Sequence, residues 1–269
     1  MPSHERGLLA RLDALVALVA DRHGLALLPD GKLAAAEARA AARATGLAPR
    51  PRPARGRVSQ PGAPAPAPAP GAGAGAGHPE PGPEDPAGRL PGGLGLAVVE
   101  RDAVELLRCV AEGVGLLRVR GDRLEATSLR HAWAQIDEGL RAGLTFAAWC
   151  HRVPWSPVLG PGPGVEALAR GRLWVLRLLF GLPAGVDVAV SGLAATIEEG
   201  LDLGPADRLA VLLAAAFLDP LAALGVAEFE PAPPYPPVRF RLGPRARVVI
   251  GSALIAAGEE VPLSTITTN

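Results

Sequence analysis

The stretch that decides the fold is Asp102–Trp133, DAVELLRCVAEGVGLLRVRGDRLEATSLRHAW. Val104, Leu107, Val110 and Val114 recur at three- and four-residue steps, which places them on one face of a helix. Gly113 and Gly115 bracket the point where that helix must end, since a helix stops most easily in left-handed geometry. Leu116–Arg120 then alternates, Gly121-Asp122 is turn chemistry, and Arg123–Ala126 can return antiparallel. Thr127 or Ser128 can cap the helix that follows. Helix, strand, tight turn, strand is the second half of a winged-helix unit.

Working outward, two further stretches share this layout. Leu15–Ala35 carries an apolar helix, the His23-Gly24-Leu25 step and an Asp30-Gly31 turn. Pro220–Leu242 carries Leu224-Gly225-Val226, a longer proline-rich tip and the returning strand Arg239–Leu242. Three winged-helix-like copies are therefore expected. Their helices include Ser3–His23 with Ser3 as cap, Lys32–Thr45 closed by Gly46, Ala134–Cys150 with Ile136, Leu140, Leu144 and Trp149 inward, Val165–Phe180, Leu193–Leu201, Arg208–Phe217 and Pro244–Ala257. A short strand is expected over Val186–Ser191.

The fold class expected is mainly α within α+β: winged-helix-like units with short β-hairpin wings on a Leu-rich helical core. Residues 1–47 form a small N-terminal helical unit, and 48–93 are a disordered linker of Pro, Gly and Ala. Residues 94–261 form the globular region, and 262–269 a flexible tail. The linker holds 13 of the 29 prolines, with PAPAPAP and GAGAGAG runs that cannot bury a core. GAGAGAG is no phosphate loop, because no strand precedes it and no Lys-Ser/Thr follows.

The order LLPDGKLAAAEARAAARATGL, then LLRCVAEGVGLLRVRGDRL, then FLDPLAALGVAEFE with VRFRLGPRARVV resembles a family of uncharacterised actinobacterial proteins with winged-helix-like repeats. The likeness covers about two thirds of the chain. Leu28-Pro29 stands where the family usually has a threonine near the turn. Leu242-Gly243-Pro244 departs from its usual Arg-Leu-Thr-Pro-Leu-Gly. The resemblance implies a fold and no activity, so it assigns no functional residue.

Composition narrows the partners. The chain has 27 Lys+Arg against 27 Asp+Glu, a net charge of zero, and Lys32 is its single lysine. A uniform nucleic-acid field is excluded, but a local basic face is not. Arg118, Arg120 and Arg123 alternate onto one face of the central wing, and Arg130 follows. The C-terminal wing repeats this with Arg239, Arg241, Arg245 and Arg247. The helix before the first wing offers Arg108 between Glu105 and Glu112, a poor base reader, and Asp219–Leu224 offers no cation. Nonspecific contact with the DNA backbone through the wings is the function expected, in a non-enzymatic, DNA-associated or regulatory protein. The alternative is a protein–protein interaction scaffold with degenerate winged helices.

No catalytic, cofactor or metal set is expected. Cys150-His151 are adjacent and point about 100° apart on a helix, so they cannot form their own dyad. Cys109 and Cys150 show neither disulfide nor zinc spacing, which suits a reducing compartment. Glu198, Glu199, Asp202 and Asp207 read as a solvated helix end, and His4, His23 and His78 as isolated. Asp13 and Asp21 interrupt the N-terminal apolar pattern, and Leu209–Leu218 is too short to span a bilayer, so the cytoplasm is the expected location and no membrane the expectation.

Overall fold

The structure, a computed structural model, describes residues 7–47, 100–201, 209–230 and 236–261. Expectations placed on Ser3, His4, His78, residues 48–99, Asp202, Asp207, the hairpin tip 231–235 and the tail 262–269 lie outside the described residues. The described chain is mainly helical, with two small antiparallel sheets.

The first half runs α1 (Leu8–Asp21), β1 (Leu25–Ala26), α2 (Ala35–Thr45), α3 (Glu100–Val114), β2 (Leu117–Arg120) and β3 (Arg123–Ala126). Leu8, Leu12, Leu15 and Val19 form the buried stripe of α1. Gly7 occupies its N-cap position. α3 stops at Gly115, whose φ of 88° is left-handed, and the hairpin turns at Gly121, φ 63°. Thr127 Oγ1 donates to Gly115 O and accepts from Leu129 N, tying the helix end to the start of α4 (Leu129–Trp133).

The N-terminal segment packs against the central hairpin. β1 pairs with β3, in the order β1-β3-β2, so residues 25–26 and the central hairpin build one sheet. The reason is local: β1 is two residues long, and its own return is a single bridge, Leu27↔Leu33. It completes its ladder on β3 instead, and Leu27 N also donates to Asp122 O at 2.8 Å. Further ties cross the same joint. Glu105 Oε1 accepts from Leu33 N at 2.8 Å, and Asp13 accepts from Trp133 Nε1 at 2.8 Å and from Arg141 Nη1 at 3.0 Å. The first two of the three expected copies are thus parts of one unit.

The first half closes with α5 (Glu138–His151), and α6 (Ser156–Leu159) and α7 (Pro163–Arg170) lead into the second half: α8 (Arg172–Gly181), β4 (Asp187–Ala189), α9 (Val190–Gly200), α10 (Leu209–Leu213), a π-helical turn (Ala214–Leu218), α11 (Asp219–Ala223), β5 (Ala227–Phe229), β6 (Arg239–Leu242) and α12 (Ala246–Ala256). The sheet of the second half is ordered β4-β6-β5. From α8 onward the layout repeats the first half: helix, strand, helix, helix, hairpin, with the early strand against the last strand of the hairpin. The recurrence is twofold.

Two long helices expected from periodicity are broken. Asp137 interrupts the expected Ala134–Cys150 helix by capping α5, its Oδ1 accepting from Gly139 N and Leu140 N. Leu140 and Leu144 lie on the face of α5 away from Phe146 and Trp149 and are 46% and 38% exposed, against expectation. The buried side of α5 is instead wide, from Ala142 to Cys150 save Leu144, because α3 and α12 cover it from two sides. Gly171 separates α7 from α8, where a Cβ would overlap the Leu201 side chain. α5, the long helix beyond the first hairpin, and α12, which follows the second, pack together across the two halves. A Cβ at Gly143 would overlap Ser252 Oγ, and His151 Nε2 lies 2.8 Å from Ala253 O. One continuous apolar cluster includes residues of both halves.

The π turn has an identifiable cause. Pro220 has no N–H for the carbonyl four residues back, that of Ala216. Asp219 N reaches past to Ala214 O, and Trp149 Nε1 donates to Ala216 O at 2.6 Å.

Candidate functional site

The arginines expected to contact DNA divide between two sheets and two helix starts. In the first sheet the register sets Arg118 opposite Glu125 and Arg120 opposite Arg123. These four share a face, with Leu117, Val119, Leu124 and Ala126 on the other. Arg118 Nη2 is 3.3 Å from Glu125 Oε2. Arg123 Nη2 donates to the carbonyls of His23 at 3.3 Å and Gly24 at 3.1 Å, so it clamps the end of α1. Arg120 is exposed and makes no hydrogen bond or ion pair among the described residues. The face carries three cations and one anion.

The second sheet is neutral. Arg239 and Arg241 share their face with Asp187 and Glu228. Arg241 Nε is 3.0 Å from Asp187 Oδ1, and that hydrogen bond and charge push the guanidinium further above its ordinary value. Arg245, at the start of α12, is 3.7 Å from Glu138 on α5. Arg247 is half-buried, with its Nε unpartnered. Arg130 Nε lies 3.2 Å from His131 Nε2 on α4. Of the eight, register brings together Arg118, Arg120 and Arg123, and separately Arg239 and Arg241.

The helices that a groove-reading protein would present are covered. From Ala103 to Val114, no side chain of α3 is more than partly exposed. Leu106, Leu107 and Val110 pack toward Phe146 and Trp149 of α5 and Leu224 after α11. Arg108 is only 13% exposed, held between Glu105 at 2.5 Å and Glu112. Burial works against its charge, but the Glu105 hydrogen bond and the two carboxylates outweigh it, and the guanidinium is pushed up. The helical segment 209–224 is likewise without an exposed residue. Both helices are core elements.

No known protein family, curated protein or solved structure matches this chain. The resemblance to actinobacterial winged-helix-like repeats rests on the sequence patterns quoted for it.

Cys150 is fully buried, and burial drives its thiol far above the ordinary range. Cys109 moves the same way for the same reason. Cys150 is next to His151 in the chain, but the imidazole turns to the α12 carbonyl. Among the described residues no group of three His, Cys, Asp or Glu side chains is placed to hold a metal ion. No helix among them is long and apolar enough to cross a membrane.

Two features escaped the sequence. Adjoining clefts of about 350 and 480 Å³ open between α1 and the β3–α4 segment, both lined by Ala20, Arg130 and His131. Their walls mix Asp13, Asp21 and Glu125 with Arg130 and Arg141, so they favour neither sign of ligand. The other feature is a set of open sheet edges. β2, β4 and β5 each lie at the end of their sheet, and no described strand pairs with their outer sides. A sequence pattern marks a strand but does not say which strand is outermost.

Proposed function

We propose that the protein is a non-enzymatic interaction scaffold made of two winged-helix-like units that do not read DNA. The helix, strand, helix, helix, hairpin order with its early strand beside the last supports that description of each unit. One observation carries the functional reading: among the described residues, the helix that would enter a major groove has no exposed side chain in either unit. The partly exposed face of α3 carries, among those residues, Glu105 and Glu112 around an Arg108 already paired with both, so it offers a phosphate backbone repulsion and a groove no free cation. The paired charges of the second wing point the same way.

The second reading is nonspecific phosphate contact through Arg118, Arg120 and Arg123, favoured by the one face with a cationic excess. Titration of fluorescent duplexes of several sequences, from about 50 to 200 mM salt, tests both. The scaffold reading expects no sequence preference and no affinity tighter than the nonspecific range of about 10⁻⁴–10⁻⁶ M. Sequence-selective binding, altered by Glu112→Gln on α3, contradicts it. Selectivity-free binding that steepens with falling salt and is lost in Arg118→Ala/Arg120→Ala favours the second reading.

A further inference from the structure

Two of the open edges, β2 and β5, carry opposite charge in matching register. On β2 the sequence is Arg118-Val119-Arg120, with all three residues exposed and Val119 at 48%. On and just after β5 it is Glu228-Phe229-Glu230, with both carboxylates exposed and Phe229 half-buried. Each edge therefore reads charge, apolar, charge, one cationic and one anionic.

The backbone phase agrees as well. Thr127 N donates to Leu116 O, so Leu116↔Thr127 is a hydrogen-bonded pair of the first hairpin. By the two-residue alternation of antiparallel ladders, Arg118 and Arg120 also bond inward to β3, and the N–H and C=O groups of Leu117 and Val119 face out. In the second hairpin Gly243 N donates to Val226 O and Glu230 N to Arg239 O. Glu228 therefore bonds inward too, and Ala227 and Phe229 present their backbone groups outward. An antiparallel ladder that joins Val119 to Phe229 as a hydrogen-bonded pair places Arg118 opposite Glu230 and Arg120 opposite Glu228. Side-chain faces, charges and hydrogen-bonding phase are satisfied in this single register.

We infer that β2 of one molecule pairs antiparallel with β5 of a second copy, joining the two three-stranded sheets into a continuous six-stranded one. Symmetric pairing is disfavoured on both edges. β2 against β2 sets arginine opposite arginine, and β5 against β5 sets glutamate opposite glutamate. The cross-strand pair Arg120 and Arg123 adds a reason for an external anion, since like charges directly opposite destabilise a hairpin. Because the two edges differ, the contact is head-to-tail, and it propagates unless the rotation closes a ring. This names a partner for the scaffold reading, on which it rests only in leaving the wing free of DNA.

Sedimentation velocity on the full chain over a wide concentration range, at low and at about 0.5 M salt, tests the inference. Mass should rise with concentration beyond the monomer and fall with salt. Arg118→Glu/Arg120→Glu and Glu228→Arg/Glu230→Arg should each weaken association by about tenfold or more. A mixture of the two variants should restore it, since each then offers the edge the other lacks. Circular dichroism of both variants reports whether the fold is kept, and their mixture supplies the same control. A wild-type monomer at every concentration overturns the inference. So does association that survives both swaps, or swapped variants that stay monomeric when mixed. A duplex arm in the same cell separates the readings: DNA binding that displaces self-association contradicts the scaffold reading, whereas a DNA-indifferent monomer contradicts the β2–β5 pairing alone.

Discussion

Trp149 shows how one side chain holds two halves together. Its indole N–H serves the Ala216 carbonyl beside Pro220, and its own carbonyl accepts from Trp155 Nε1 at 3.2 Å. Trp155 in turn meets Phe217 edge to face at 5.1 Å. Trp149→Phe keeps most of the packing but removes the donor to a buried carbonyl, and should cost about 1–3 kcal/mol. Urea denaturation reads this as a lower midpoint at unchanged slope. Cys150 supplies a pH test. Its thiol stays neutral in the folded state, while the unfolded chain ionises near the ordinary value of about 8.5. The raised folded value means that the unfolded state loses its proton first. Stability is therefore full below about pH 8.5 and falls as the pH rises above it. Denaturation midpoints from pH 7 to 10 should show this decline, flattened in Cys150→Ala. In native protein Cys150 should resist a thiol reagent until the chain unfolds.

At the scale of elements, α5 is the member on which the others converge. α3 packs on one side and α12 on another, with Gly113 against Ala148 and Arg152 and Gly143 against Ser252. Gly143→Val would drive the helices apart, at a cost of about 1–3 kcal/mol seen in the thermal midpoint, and Ser252→Gly in the same chain should recover part of it. The helix–hairpin step at Val104–Ala126 was legible from residues because every signal is local: an apolar stripe, a stopping glycine, an alternating strand, a Gly-Asp turn. α5 was misread because it is apolar on several faces. Leu140 and Leu144 fit a helical stripe as well as Phe146 and Trp149 do, and only the neighbours on both sides, with the Asp137 cap, decide between them. The arginines were legible as positions. Their partners were not, since Asp187 with Arg241 and Glu138 with Arg245 are set by tertiary pairing.

Across the whole molecule, the decisive contact is the least visible in the sequence. A two-residue strand has no periodicity, yet β1 on β3 merges residues 7–47 with the central hairpin. Asp13, which receives both Trp133 and Arg141, is the polar counterpart of that joint. Asp13→Ala should shift the entire unfolding transition by about 1–3 kcal/mol, followed by fluorescence from the tryptophans, all of which lie outside the N-terminal segment. A tethered, independent N-terminal unit would leave that signal unmoved. The same merger covers α3, and with it the account of function. Amide hydrogen exchange across Val104–Val114 and Leu209–Ala223, with and without saturating duplex DNA at low salt, tests that account most directly. It predicts that both segments are among the slowest to exchange, opening only with global unfolding, and that duplex leaves them unchanged. Rapid exchange along α3, or protection of it by the duplex, would contradict it.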